Sequence, residues 1–153
     1  MQADRFYDDG RLGITSTGPN PPTVGQETSY TVRLRVGSTL NDIGDVRITA
    51  IIPDGVRYTD KTYRTAGEVN YNERTQTVTW TMPLITAGTG RLKPAEEFDF
   101  QVAVVPGEHQ RNHEIDLLKS LQLEATDEFT DTAVEKKLGG EGFADLPKTD
   151  IVQ

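Results

Sequence analysis

Cysteine is absent from the 153 residues. That removes disulfides, thiolate nucleophiles and cysteine-based zinc sites together, and it leaves the compartment open, because many exported bacterial proteins manage without cysteine. Long apolar runs are missing too, and nothing approaches the ~18–20 residues of a membrane-spanning helix. The opening decapeptide MQADRFYDDG has neither a basic n-region nor an apolar h-region and is no signal peptide. Met1 reads as a start placed on an excised segment. Positive charge is scarce, with 16 Lys and Arg against 24 Asp and Glu. The net charge of −8 repels phosphate backbones and anionic lipid, which argues against nucleic acid and against membrane contact by this segment. The hydrophobic fraction is only 35%, which suits sheets wetted on one face better than buried parallel strands.

What is present is alternation. In TSYTVRLRV, Tyr30, Val32, Leu34 and Val36 point one way and Thr31, Arg33 and Arg35 the other. DVRITAII sets Val46, Ile48, Ala50 and Ile52 against Arg47 and Thr49, and TQTVTWTM sets Val78, Trp80 and Met82 against Thr77, Thr79 and Thr81. EEFDFQVAVV sets Phe98, Phe100, Val102 and Val104 against Glu97, Asp99 and Gln101, and KSLQLEATD sets Leu121, Leu123 and Ala125 against Ser120, Gln122 and Glu124. Weaker strands fall at Leu12 with Ile14, Val56 with Tyr58, Val69 with Tyr71, and around Val134. β-branched and aromatic residues dominate these runs, as strands prefer. The sum is about eight or nine short strands with polar outer faces, the pattern of an antiparallel sandwich.

The punctuation agrees. Pro53-Asp54-Gly55 is a turn with glycine in the left-handed position, and NERTQ at 72–76 separates two strands at hairpin length. STLNDIGD divides two strands, and TAGTGRLKPAEE crosses into the Phe98 strand. The best helix candidate, GEHQRNHEIDLLKSL, is expected to be a loop with at most one or two turns, because the strand pattern claims Leu121 as well. Residues 1–10 read as a flexible N-terminal segment, 11–138 as the sandwich, and 139–153 as a linker or disordered tail, being rich in Gly, Asp and Pro.

TVGQETSYTVRLRV, DVRITAIIPDGVRYTD, VNYNERTQTVTWTM and LKPAEEFDFQVAVV, in that order, resemble the conserved-repeat domain numbered eleven among domains of unknown function. The matching positions are Val24, Gly25, Tyr30, Pro53, Gly55, Val78, Trp80 and Phe100, over about residues 19–127. The loop GSTLNDIGD and the EHQRNHEIDLLKS insert are longer than that family's pattern. The resemblance implies an all-β fold, an immunoglobulin-like antiparallel β-sandwich of about seven to nine strands with Greek-key connections. It also implies a module found in tandem in large bacterial and archaeal surface proteins.

Chemistry is harder to find. His109 and His113 are four apart, yet a zinc-protease motif needs His-Glu where this chain has His-Gln. Acidic residues crowd at Asp127, Glu128 and Asp131, at Asn41, Asp42 and Asp45, and at Asp8 and Asp9. Calcium is the one ion these loops suit, but none shows the Asp-x-Asp-x-Asp-Gly spacing, and a solvated acidic rim is the simpler reading. No cofactor and no metal ligand is assigned. The serines, Ser16, Ser29, Ser38 and Ser120, sit in no nucleophile motif. Lys93 and Lys119 lie beside strands, where an isopeptide cross-link would need them, with no partner named by the sequence. LPKTD at 146–150 resembles a sortase anchor without its glycine and reads as linker.

With Tyr30, Tyr71, Trp80, Phe98 and Phe100 all turned inward, no exposed aromatic platform for sugar stacking is expected. Tyr58 and Tyr63 are uncommitted, and with Arg57, Lys61 and Arg64 they form a basic-aromatic hairpin, the first choice for a ligand surface. The chain is therefore expected to be no enzyme. It reads as a structural spacer module of an exported cell-surface protein, a rigid bead in a multidomain stalk whose partners are neighbouring modules of the same polypeptide. The alternative is an adhesin-type module that binds an extracellular protein or glycan through end loops or the 57–64 hairpin.

Overall fold

The computed structural model describes residues 1–8, 14–38, 40–139 and 146–153. Nine strands follow one another: β1 (Gln2–Phe6), β2 (Thr28–Val36), β3 (Ile43–Ile51), β4 (Val56–Arg64), β5 (Glu68–Asn72), β6 (Thr77–Ile85), β7 (Glu96–Val104), β8 (Ser120–Asp127) and β9 (Thr132–Leu138). They form two antiparallel sheets, one ordered β1-β2-β7-β4 and the other β5-β6-β3-β8-β9. The connections β2–β3, β3–β4, β4–β5, β6–β7 and β7–β8 all pass from one sheet to the other. Neighbours such as β3 and β6 are thus separated in sequence by β4 of the facing sheet and by β5, which is Greek-key wiring in an immunoglobulin-like sandwich. The helix candidate is a loop holding one 3-10 turn, Glu108–Gln110.

The expected inward faces meet. Tyr30, Val32, Leu34, Val36, Val46, Ile48, Trp80, Phe98, Phe100 and Leu121 are each at most 2% exposed. Trp80 reaches Phe98 at 5.6 Å between ring centroids, and its indole N–H is satisfied by the Ala66 carbonyl at 2.8 Å. The turn residues behave as their chemistry dictates. Gly55 takes φ 84°, and Val56 N–H closes onto Pro53 O at 3.2 Å. Gly67, between β4 and β5, has φ 79°, and a Cβ there would stand 2.2 Å from the Thr81 carbonyl oxygen, so only glycine fits.

Three expectations are corrected. Of the segment 1–10, expected to be flexible, residues 2–6 are not a loose end, because β1 pairs with β2 from Gln2 against Arg35 to Phe6 against Thr31. Its adhesion is electrostatic and aromatic. Asp4 lies 3.7 Å from Arg35, Arg5 lies 3.0 Å from Asp150, and the Phe6 ring sits 4.4 Å from the Arg33 guanidinium. An apolar-periodicity reading does not detect such a strand.

The described part of the C-terminal tail is docked as well. Leu117 N–H donates to Pro147 O, Thr149 N–H to Ile115 O, and Val152 N–H to His113 O, each at 2.9 Å. Gln153 N–H then reaches Pro22 O at 2.8 Å, and Val152 is completely buried. Alternate residues Pro147 and Thr149 face inward, a period-two pattern hidden because neither is a typical core residue. Of the weak Leu12–Ile14 strand, Leu12 lies outside the described residues, and Ile14 is buried without belonging to a strand.

The third correction concerns wetness. Thr31, Arg33, Asp99 and Gln101 alternate to the outer face of the four-stranded sheet, yet each is at most 5% exposed. Residues 15–19, between β1 and β2, lie across that face. Gln101 Nε2 donates to Thr15 O at 2.8 Å, Thr17 N–H to Ser29 Oγ at 2.7 Å, and Thr28 Oγ1 to Pro19 O at 2.7 Å. Beneath this cover Arg33 grips Asp99 in a two-pronged ion pair, at 2.9 and 2.8 Å.

Candidate functional site

The five residues favoured from sequence all lie on β4, a single edge strand and not a hairpin, and β4 does not present them together. Its pairing with β7 shifts register between Tyr58 and Thr62, and Asp60 there takes φ 64°, the signature of a bulge. Arg57 points outward and donates to Glu27 at 3.0 Å. Tyr63 lies outside, opposite Asp99 in register and 43% exposed. Lys61 is exposed, and Arg64 Nε caps the Gly67 carbonyl at 2.8 Å. Tyr58 turns inward instead.

That inward turn helps to form a cleft among the described residues. Where β4 of one sheet faces β5 of the other, the sandwich leaves a cleft of about 720 Å³. Tyr58 stacks on Tyr71 of β5, with centroids 4.2 Å apart and planes at 30°, and is backed by Phe100 at 6.0 Å. Burial pushes the Tyr58 hydroxyl up to about 12, helped by the nearby charge of Asp60. Burial, Glu73 and Asp60 likewise raise Tyr71. Asp54, Arg57, Asp60, Glu73 and Arg74 line its edge. The sequence had placed Tyr71 in the core. It is only half-buried, because β5 is short and its far edge is unpaired.

The acidic loops do converge, at the end of the sandwich where β2 gives way to β3 and β8 to β9. Asn41 Nδ2 donates to Asp127 Oδ2 at 2.9 Å, Glu128 N–H to Asp42 O at 3.0 Å, and Ala87 N–H to Asp42 Oδ1 at 2.7 Å. Asp127 also accepts the amides of Phe129 and Thr130. The bond from Asn41, then those amides, hold its carboxyl below the usual range. These oxygens close turns. Asp45 is exposed on β3 and Asp9 lies outside the described residues. Among the described residues, no group of three or more His, Asp or Glu is placed to hold a metal ion.

The remaining candidates separate. His109 sits in the 3-10 turn and His113 beyond it, with Nδ1 2.9 Å from Arg111 O, so the spacing never becomes a shared helical face. Ser29 Oγ is engaged with Thr17, and Ser38 Oγ bonds the Asn41 carbonyl. Lys93 is exposed, with Nζ on Thr86 Oγ1 at 2.8 Å, and Lys119 is exposed too. Among the described residues, no lysine is buried. The LPKTD segment, far from being an extended linker, is held at Thr149, whose hydroxyl accepts Ile115 N–H at 3.0 Å.

The ends of the chain define the last element. Met1 lies at the Val36 end of β2, and Gln153 at the opposite end, bonded to Pro22 and Val24 just before β2 begins. The Met1 amino group is held below its ordinary value, by burial first and by Lys136 second. At the Met1 end Leu40, Leu92 and Phe129 are each 84% exposed, Leu40 and Phe129 lining one hollow with Ala87. Among the described residues, no helix is long and apolar enough to cross a membrane.

No family model matches the sequence, and no curated protein does. Solved structures do. Two domains of the major pilin SpaD from Corynebacterium diphtheriae match at 12% identity and a TM-score of 0.44, covering 89% of this chain and 49% of that one. The major pilin subunit BcpA of Bacillus cereus matches at 16% identity and 0.49, covering 89% and 38%. An uncharacterized immunoglobulin-like protein from Nocardia farcinica matches at 17% identity and 0.37, covering 90% and 98%. The chain spans half or less of the length of the two pilin chains.

Proposed function

We propose that this chain is a structural spacer module of an exported cell-surface protein, a rigid bead of the conserved-repeat kind in a multidomain stalk. One observation carries this reading: both chain ends are hydrogen-bonded into the sandwich, and they leave it at opposite ends. β1 is a paired strand and residues 146–153 are a docked ladder, so the body between them is held at a fixed length. Nine-residue strands at ~3.3 Å per residue make that body about 30 Å long. The exposed Leu40 and Phe129, which line one hollow, are apolar surface that an abutting module would cover. The work assigned here is mechanical. A longer fragment carrying the adjoining module, studied by solution scattering, tests the proposal. A restrained angle between the two bodies is expected, and a freely jointed profile would overturn it.

A further inference from the structure

We propose that the cleft between β4 and β5 is a binding site for a neutral saccharide. This is a function separate from spacing, so its failure would leave the spacer reading untouched.

The argument starts with what the cleft offers. Its floor is aromatic and rigid: Tyr71 rests on Tyr58, and Tyr58 rests on the wholly buried Phe100. A tyrosine pair of this kind presents an apolar surface and hydroxyl tips at little entropic cost. Both tyrosines are half-buried, and neither phenol makes a hydrogen bond to another described residue, so their hydroxyls are available to a ligand.

The rim is polar and of both signs. Asp60 is brought to the tyrosines by the β4 bulge, Glu73 and Arg74 come from the β5–β6 turn, and Gln76 adds an amide. Carboxylate, guanidinium and amide are groups that bridge adjacent hydroxyls, while an aromatic face takes the C–H side of a sugar ring. The rim sets three carboxylates against two guanidiniums, a formal −1, and with the −8 charge of the whole chain it disfavours anions. A purely apolar ligand would strand the rim groups without partners. A hydroxyl-rich neutral ring satisfies both floor and rim. The volume of about 720 Å³ lies within the range of small-ligand pockets.

The competing role is a plug, in which the tyrosines only close the open flank of the sandwich. The two roles separate by experiment. The full chain, labelled with ¹⁵N, is titrated with gluco-, manno-, galacto- and N-acetylhexosamine-type neutral oligosaccharides and with a uronate oligosaccharide, each to about 10 mM, enough to reveal a millimolar site. Chemical-shift changes centred on Tyr58, Tyr71 and Gln76 with at least one neutral oligosaccharide are expected. Tyr71→Ala should weaken binding by about tenfold or more, a loss of ~1.4 kcal/mol. Because Tyr71→Ala also trims packing, Asp60→Asn is the second variant. Asparagine tolerates a positive φ, so this change keeps the bulge and should still weaken binding. Tyr63→Ala, on the outer face, should bind as the parent does. Silence with every neutral sugar, shifts located elsewhere, binding of the uronate alone, or unchanged binding in both cleft variants would each overturn the proposal.

Discussion

The outer faces of the two sheets carry similar alternating polar residues and meet different fates. On the five-stranded sheet Arg47 and Glu124 are exposed, while Thr49, Thr79 and Thr81 are half-exposed. On the four-stranded sheet Thr31, Arg33, Asp99 and Gln101 are dry. The difference comes from outside the strands, in the β1–β2 connection that crosses one face and leaves the other to water. Period two fixes which way a side chain points. Whether that direction is wet depends on another part of the chain.

Removing Asp99 should break this comparison most sharply. Asp99→Ala leaves Arg33 buried without its two-pronged partner and should cost about 3–5 kcal/mol in denaturant unfolding. Thr49→Ala on the open face should stay within about 0.5 kcal/mol of the parent. Replacing both partners, as Arg33→Met with Asp99→Leu, should recover most of the loss, because the apolar pair leaves no unpaired charge.

Alkaline titration comes next. Burial pushes the Tyr30 hydroxyl up to about 12, against an opposing effect of Arg5, and Tyr58 is likewise pushed to about 12. The folded chain therefore keeps protons that the unfolded chain gives up near pH 10. Stability from these groups is present in full below pH 10 and falls as pH rises to 12. Tyr58→Phe should shrink that decline, and a pH series of thermal melts reads it.

A smaller effect is expected at the docked tail. Val152→Ala removes about two buried methylene equivalents and should cost ~1.5 kcal/mol, with faster amide exchange at Leu117 and Val152. The smallest is expected at Met1. Its amino group is disfavoured as a cation in the fold, so the unfolded chain holds more protons and stability rises as pH climbs to about 8. Acetylation of Met1 should flatten that rise in a pH series.

Much of the sandwich was legible because its core mostly obeys period two, the exceptions being the three-residue steps from Ile43 to Val46, at the β3 register shift, and from Met82 to Ile85 at the end of β6. Tyr30, Val32, Leu34, Phe98, Phe100 and Trp80 all point where the alternation says, and Gly55 takes its left-handed turn. What escaped depends on pairing across long separations. Arg33 opposite Asp99 and Arg35 opposite Glu97 become ion pairs only once the β2–β7 register is known. β1 and the tail are held largely by charge, a cation–π contact and backbone bonds, with only isolated apolar anchors such as Val152, and they show no apolar periodicity. The tyrosine cleft was half visible. Arg57 and Tyr58 were singled out together, but strand alternation from Val56 turns Tyr58 inward onto Tyr71 while Arg57 points outward.

The account rests on two chain ends pinned at opposite ends of one rigid body. With no native cysteine in the chain, spin labels placed at exposed Gln2 and Gln153 report that separation directly. A single narrow distance distribution, unchanged by moderate denaturant until the global transition, is the predicted result. A broad distribution under native conditions, or one that widens well before the sandwich unfolds, would contradict it.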